Sequence, residues 1–398
     1  MNVLFFCHDN FACNSMGHIA GFAAGLHARG HACAVAIPGD DRASAKAWGG
    51  DPPFRPAIFA DTWERVPALF PDGGPADILH AWTPREHVRR AVELCRKGMP
   101  GARLVVHLED NEEHLSARFV GETPAGLHAL TDAELAARLP GHLSHPREAV
   151  RFLGTADGVT GIVAALAEFS PPGVPFAELW PGVDFARFHP GPPDPALRRS
   201  LGLRAEEKVI CYPGSSHFAN GPEMASLYDA VFALNRGGVP CRLVRTGRDT
   251  PDFLGRFDAG EVARYVLHLG VVERDRLPTL LRLADALVQP GEDDAFNRYR
   301  LPSKVPEFLA SGRPVLLPRA NVGRRVRPGR EALLLETGTP EEITTKCQGV
   351  FADPALARTL GEGAAVFARR HFDPAKQAAT LERFYRRLRF PWWRRWWR

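Results

Sequence analysis

Asn2-Val-Leu-Phe-Phe-Cys7, Ile19-Ala-Gly-Phe-Ala-Ala-Gly-Leu-His-Ala28 and His31-Ala-Cys-Ala-Val-Ala-Ile37 decide the fold. The first is an unbroken apolar run, short enough for a strand buried on both faces. The second has helical periodicity and stops at Arg29-Gly30. The third is another short apolar run, and Pro38-Gly39-Asp40 turns the chain. Strand, helix and strand in this order form a crossover unit, the building block of parallel sheets.

The pattern continues outward. Ile78–Trp82, Leu104–His107 and Gly158–Ile162 read as strands, and Pro84–Lys97 as a helix. His189-Pro-Gly-Pro-Pro-Asp-Pro195 interrupts the series as a linker. A second series follows, with strands at Lys208–Tyr212, Cys241–Thr246, Val266–Leu269, Ala286–Gln289 and Arg313–Leu317 and helices at Pro222–Arg236 and Val305–Ser311. A length of 398 residues suits two domains. We therefore expect an α/β protein with two parallel-sheet domains, 1–190 and 191–371, and a C-terminal helix and tail over 372–398. Open parallel sheets bind ligands outside the carboxyl ends of their strands, so chemistry is sought in the loops there, with the two sheets expected to face each other across a cleft.

Composition excludes several classes. Apolar residues make up 45% and charged residues 24%, as in ordinary globular proteins, and no run of about 18 apolar residues offers a membrane span. The N-terminus reads as a first strand, without the basic flank and cleavage site of a signal peptide. The seven cysteines are scattered without metal-ligand or disulfide spacing, which fits a reducing, cytoplasmic setting. The net charge of +4 is local, because seven arginines lie between Arg383 and Arg398 with no acid among them. The body is slightly acidic, which argues against nucleic-acid binding. In that tail Arg394 and Arg395 are flanked by Trp392, Trp393, Trp396 and Trp397. Tryptophan suits a bilayer interface and arginine attracts anionic lipids, so peripheral attachment to the inner face of a membrane is expected.

Four loops carry the candidate chemistry. Asn14-Ser-Met-Gly-His18, expected between the first strand and helix, offers Gly17 for close approach to a phosphate or sugar. Glu109 and Asp110 end the strand at Leu104–His107, where carboxylates can bind sugar hydroxyls or accept a proton. Pro213-Gly-Ser-Ser-His-Phe-Ala-Asn-Gly221 supplies Ser215 for phosphate contact, with Arg248 after the next strand. The richest segment runs from Gly291 to Val315. It holds Asp294, Asn297, Arg298, Arg300 and Lys304, then Glu307 opening a helix. Cations and helix amides suit a diphosphate, and a carboxylate at a helix start can take both ribose hydroxyls. Asp293-Asp294 is weak evidence for a metal, and no obligatory metal is expected.

Together these segments resemble the GT-B glycosyltransferases, specifically the retaining family 4. Thr155-Ala-Asp-Gly-Val159, Trp180-Pro-Gly-Val-Asp184, Phe188 and Pro190 are similar to the end of that family's first domain. His268-Leu-Gly-Val271, Leu283-Ala-Asp-Ala-Leu-Val-Gln-Pro290 and Pro306-Glu-Phe-Leu-Ala-Ser-Gly-Arg-Pro-Val315 are similar to its donor domain. The resemblance implies two Rossmann-like domains, an N-terminal acceptor domain and a C-terminal one for a nucleoside-diphosphate sugar. It implies metal-independent, retaining transfer of a hexosyl group to a glycan or lipid-linked acceptor. Glu307 would hold the ribose, Lys304 the diphosphate, and Asp294 and Glu109 the transferred sugar. There are departures. The family's first carboxylate lies eight residues before the second, where this chain has Tyr299, so its role passes to Asp294. Its His-Asp pair is here Glu109-Asp110, and its basic pair is replaced by Ser215, Ser216 and Asn220-Gly221. An inactive binding or scaffold protein, and a sugar-nucleotide epimerase or phosphorylase on the same fold, therefore stay open.

Overall fold

The computed structural model describes residues 1–48, 52–65, 68–216 and 220–389. The tail residues Trp392, Trp393, Arg394, Arg395, Trp396 and Trp397 lie outside them. No helix among the described residues is long and apolar enough to cross a membrane.

The chain forms two units. The first comprises Met1–Gly182, Tyr299–Leu301 and the chain from Asp373 onward; the second comprises Val183–Arg298 and Pro302–Phe372. The chain thus leaves the first unit at Gly182, just after the Trp180-Pro181 turn, rejoins it briefly at Tyr299–Leu301 and returns to it at Asp373.

In the first unit, β1 (Asn2–Cys7), β2 (Ala32–Ile37), β3 (Arg55–Ile58), β4 (Ile78–Trp82), β5 (Arg103–Leu108), β6 (Gly158–Gly161) and β7 (Phe176–Glu178) form one sheet in the order β3-β2-β1-β4-β5-β6-β7. Every pairing is parallel, with Val3 opposite both Cys33 and Ile78. All six residues of β1 are buried, as its uniform hydrophobicity demands of a central strand. The order reverses between β1 and β4, so the loops after these two strands flank the crevice where such sheets take ligands. The first helix spans Asn14–His27, so Asn14–His18 is its opening turn, not the preceding loop.

The helix Pro374–Arg389 packs on the helix Asn14–His27. Ala378, Leu381, Phe384 and Tyr385 fall on one face at helical spacing and are buried. Two glycines make room for it. A methyl group on Gly25 would collide with the Ala378 Cβ, and one on Gly158 would lie 2.7 Å from the Phe384 ring. Beside these contacts the Glu382 carboxylate accepts from Arg29 Nε at 2.5 Å, His31 Nε2 at 3.0 Å and Arg386 Nη2 at 2.7 Å. Burial acts to raise its pKa, but Arg386, Arg29 and His31 outweigh burial and push it down to about 2. A carboxylate depressed in the folded state stabilises fully above its unfolded value, about 4.3, and loses that contribution as the pH falls towards 2. Glu382→Ala should lower stability by about 1–2 kcal/mol at pH 7, since two of its three partners are solvent-exposed. The gap between variant and parent in thermal melts should narrow between pH 4.5 and 2. A gap that is absent at pH 7, or unchanged on acidification, counts against this clamp.

In the second unit, β8 (Lys208–Tyr212), β9 (Cys241–Arg245), β10 (Val266–His268), β11 (Ala286–Val288), β12 (Val315–Pro318) and β13 (Leu333–Leu335) form a parallel sheet in the order β10-β9-β8-β11-β12-β13. The order reverses between β8 and β11. The loops Pro213–Ser216 and Gln289–Gly291 therefore flank this unit's crevice.

Candidate active site

In the first unit the opening turn of the helix Asn14–His27 meets the end of β5. Glu109 is the meeting point. Its Oε2 accepts from the Ser15 hydroxyl, and its Oε1 lies 2.7 Å from His18 Nδ1. Ser15 and His18 are three residues apart and share one helix face. Burial acts to raise the Glu109 pKa, but the hydrogen bond and charge of His18 outweigh it and hold the carboxyl well below the usual range. Glu109 is thus an ionised acceptor fixed in place. Gly17 sits in the same turn, with open space where a side chain would be.

Beneath Glu109 the sheet carries a buried polar chain. Tyr385 OH, His80 Nδ1 (2.6 Å), His80 Nε2, Thr160 Oγ1 (3.1 Å) and His107 Nδ1 (2.9 Å) follow one another across β4, β5 and β6. The His107 ring stacks on Trp82 at 3.7 Å between centroids. Burial drives the His107 pKa down to about 3 and that of His80 well below its ordinary value, so both rings are neutral. The Nε2 of His107 is buried with no hydrogen-bond partner among the described residues. Next along the chain, Asp110 behaves opposite to Glu109. Burial first, then the charges of Glu112 and Glu109, push its carboxyl up to about 7 against the pull of Arg300 and Arg85. Two adjacent carboxyls thus take different protonation states near neutrality.

In the second unit the crevice is built around Gly214. Its φ of +128° is one a side chain resists, and Lys304 occupies the space beside it, with Cε 3.2 Å and Nζ 3.4 Å from where a Cβ would stand. Lys304 immediately precedes the helix Val305–Ala310. Its ammonium donates to Tyr212 OH at 3.2 Å, lies 4.6 Å from that ring's centre, and has no carboxylate partner among the described residues. Arg245 supports the loop from below. It is fully buried, donates to the Gly214 carbonyl at 2.8 Å, and pairs with Asp249, which also accepts from Tyr228 OH at 2.7 Å. Burial opposes ionisation at both ends, yet Arg245 holds the Asp249 carboxyl below its usual value.

The remaining expected residues are distributed around this loop. Ser215 Oγ accepts from the Arg248 amide at 3.0 Å, so that hydroxyl is engaged in joining the loops after β8 and β9; the Arg248 side chain is exposed. Asp294 Oδ1 accepts from the amides of Phe296 and Asn297 at 3.1 and 2.7 Å, which makes it a turn-forming residue. Asn297 is buried, donates to Glu223 at 2.5 Å, and packs against Gly291, whereas Arg298 is exposed. Glu307 lies in the first turn of Val305–Ala310 and accepts from the exposed Arg274 at 2.9 Å.

Residues 207–353 match the family model described as glycosyl transferases group 1. D-inositol 3-phosphate glycosyltransferases of Streptomyces bingchenggensis and Thermobispora bispora are each 28% identical, over 236 and 217 residues, which is 54% and 52% of this chain and 49% of each relative. The chain thus spans about half the length of the curated relatives it matches. Among solved structures, HepE of Anabaena in complex with UDP-glucose superposes with a TM-score of 0.70 at 16% identity, over 96% of this chain and 99% of that one. Sucrose-phosphate synthase from Thermosynechococcus elongatus does so with a TM-score of 0.68 at 16% identity, over 98% and 99%. The chain has the GT-B glycosyltransferase fold. Two parallel-sheet units with these strand orders are the GT-B plan.

Within the GT-B frame, the residues missing from the sequence-based list are the supporting ones. Ser15 and His18 reach Glu109 across 94 and 91 residues, a pairing that no local pattern displays. Arg245 ends the apolar strand Cys241–Arg245 and looks like an ordinary polar terminus. Only the fold surrounds it with Tyr212, Tyr228 and Asp249.

Proposed function

We propose that the protein moves a hexosyl group from a nucleoside-diphosphate sugar to an acceptor hydroxyl, with retention at the anomeric carbon and without an obligatory metal ion. The observation that carries this is Lys304. Its ammonium, without a carboxylate partner among the described residues, sits against Gly214, at the point where the strand order of the second unit reverses. A fixed cation aimed at a Gly-lined loop is suited to stabilising a departing diphosphate. The group 1 match over residues 207–353 and the UDP-glucose complex of HepE support a nucleotide-sugar donor.

In this reaction the bond from the anomeric carbon to the phosphate oxygen breaks and a bond to the acceptor oxygen forms. The acceptor proton goes to the departing phosphate. Lys304 stabilises the charge that develops there, and Glu307 takes the ribose hydroxyls. Asp294 fixes the turn beside the sugar, with its Oδ2 left for a hydroxyl. Glu109, ionised and held by His18 and Ser15, accepts hydrogen bonds from sugar hydroxyls in the first unit. The protein's contribution is positioning and electrostatic stabilisation.

Thermal melts with UDP, GDP, ADP and dTDP, each with and without magnesium, test this. A bound nucleotide at a hundredfold excess over its Kd stabilises by about 2.7 kcal/mol. That corresponds to a rise of roughly 5–10 °C in Tm for a unit of this size. The expected result is such a rise for one nucleotide, independent of magnesium. A rise that requires magnesium defeats the metal-independent mechanism. No rise with any nucleotide favours an inactive binding protein, for which the specific motive is that Ser215 and Ser216 are tied to the Arg248 and Thr250 amides where the family has cations.

A further inference from the structure

A groove lies wholly within the first unit, at the carboxyl end of β5. Its walls are apolar, built from Pro84, Leu108, Ala149, Val150, Leu153 and Phe169. Its polar end is acidic, formed by Asp110 with Glu112 and Glu113. Asp110 is partly buried yet makes no hydrogen bond or ion pair among the described residues. Glu112 is only 7% exposed. Its Oε2 accepts from Ser144 at 2.9 Å and Arg85 at 3.3 Å, but its Oε1 is buried without a hydrogen-bond partner among the described residues. Unpaired polar atoms in a desolvated place are costly, and in native proteins they mark sites where something else completes the bonding.

The two ends of the groove define what fits. Apolar walls favour a ligand with a hydrocarbon body, and each buried methylene contributes about 0.8 kcal/mol. The carboxyl groups in the groove's lining call for hydrogen-bond donors. They are the wrong sign for a phosphate or carboxylate, and Arg85 is already engaged with Glu112. Resting on the glycosyl-transfer reading above, we propose that this groove binds the acceptor, and that the acceptor is an uncharged, hydroxylated molecule with an apolar body, seated with a hydroxyl on Asp110. Burial also holds the Asp110 carboxyl near 7, so it can accept that hydroxyl's hydrogen bond without the full cost of a buried charge.

The test is calorimetric binding to the full chain without donor. Hexyl β-D-glucoside carries the proposed body and head, glucose lacks the body, and hexyl phosphate replaces the head with an anion. The parent should bind hexyl glucoside, glucose at least about tenfold more weakly, and hexyl phosphate not measurably. Ala149→Trp fills the groove from a partly exposed helix position and should weaken hexyl glucoside about tenfold or more with an unchanged melt. Asp110→Asn, which preserves shape, should weaken it less. Equal binding to parent and Ala149→Trp, or preferential binding of hexyl phosphate, overturns the proposal. Incubation with the nucleotide sugar selected by the thermal melts then separates two failures. A nucleotide response without glucoside binding removes the groove and leaves glycosyl transfer standing. Glucoside binding without a nucleotide response leaves a ligand site and removes its role as acceptor site.

Discussion

Glu307→Ala should lose about a hundredfold in affinity for the nucleotide that stabilises the protein, with its melting temperature nearly unchanged. Two hydrogen bonds from ribose hydroxyls to a carboxylate contribute about 1.5–3 kcal/mol each, and part of that is recovered by water in the variant. A loss near 2.7 kcal/mol is the hundredfold expected. The pair with Arg274, whose side chain is 60% exposed, should contribute little to stability. Exposed pairs of this kind contribute about 0–1 kcal/mol. Glu307→Gln keeps one acceptor oxygen and should fall between parent and Ala. Arg274→Ala removes that pair and should leave nucleotide affinity equal or higher. Calorimetry with each variant reads these outcomes. Unchanged affinity in Glu307→Ala ends the ribose assignment, and a large drop in Tm would show the residue to be structural instead.

Asp249→Asn should be among the most destabilising single changes in the second unit. Asp249 and Arg245 are both fully buried at their charged ends. Removing one partner leaves the other charge desolvated and uncompensated, which costs about 3–5 kcal/mol. For a unit of this size that is a fall of roughly 10 °C in Tm. The pH dependence follows from the sign of the shift. Because the Asp249 carboxyl is held below its usual value, its contribution is complete above about pH 4 and is lost only on further acidification. The deficit should therefore be constant from pH 5 to 8. Replacing both partners, as Arg245→Met with Asp249→Leu, should restore much of the stability, since apolar substitutes of similar size often match a buried ion pair. It should not restore nucleotide affinity, because Arg245 also carries the Gly214 carbonyl beneath Lys304. A double variant that binds nucleotide normally would show that the Gly214 loop needs no such support.

These expectations depend unequally on sequence and structure. The central strands were legible because a strand buried on both faces must be apolar throughout and must end where turn-forming residues follow, as Asp9-Asn10 do after Asn2–Cys7 and Pro213-Gly214 after Lys208–Tyr212. The edge strands Arg55–Ile58, Phe176–Glu178 and Leu333–Leu335 were not. They are three or four residues long, and the first contains Pro56, tolerable only where one side of the ladder is open. The same contrast holds in the candidate site. Glu109, Lys304 and Glu307 announce themselves as charged residues at element ends. Whether a carboxylate is ionised, as Glu109 is, or held near 7, as Asp110 is, depends on what burial and distant residues place around it. Asp294 shows the converse. An acid in a loop of acids and cations looks chemical, yet one of its oxygens is committed to shaping its own turn.

The docking of the helix Pro374–Arg389 has a consequence for how the protein is made. Ala378, Leu381, Phe384 and Tyr385 complete the core around β1, yet they are synthesised after the whole of the second unit. A nascent chain emerging from the ribosome can close the second sheet while the first still exposes the groove around Gly25 and leaves His80 without Tyr385. The residues of β1, translated long before this helix, are therefore among the last to reach their final surroundings. During that interval the unfinished first sheet is the part of the chain most in need of a chaperone.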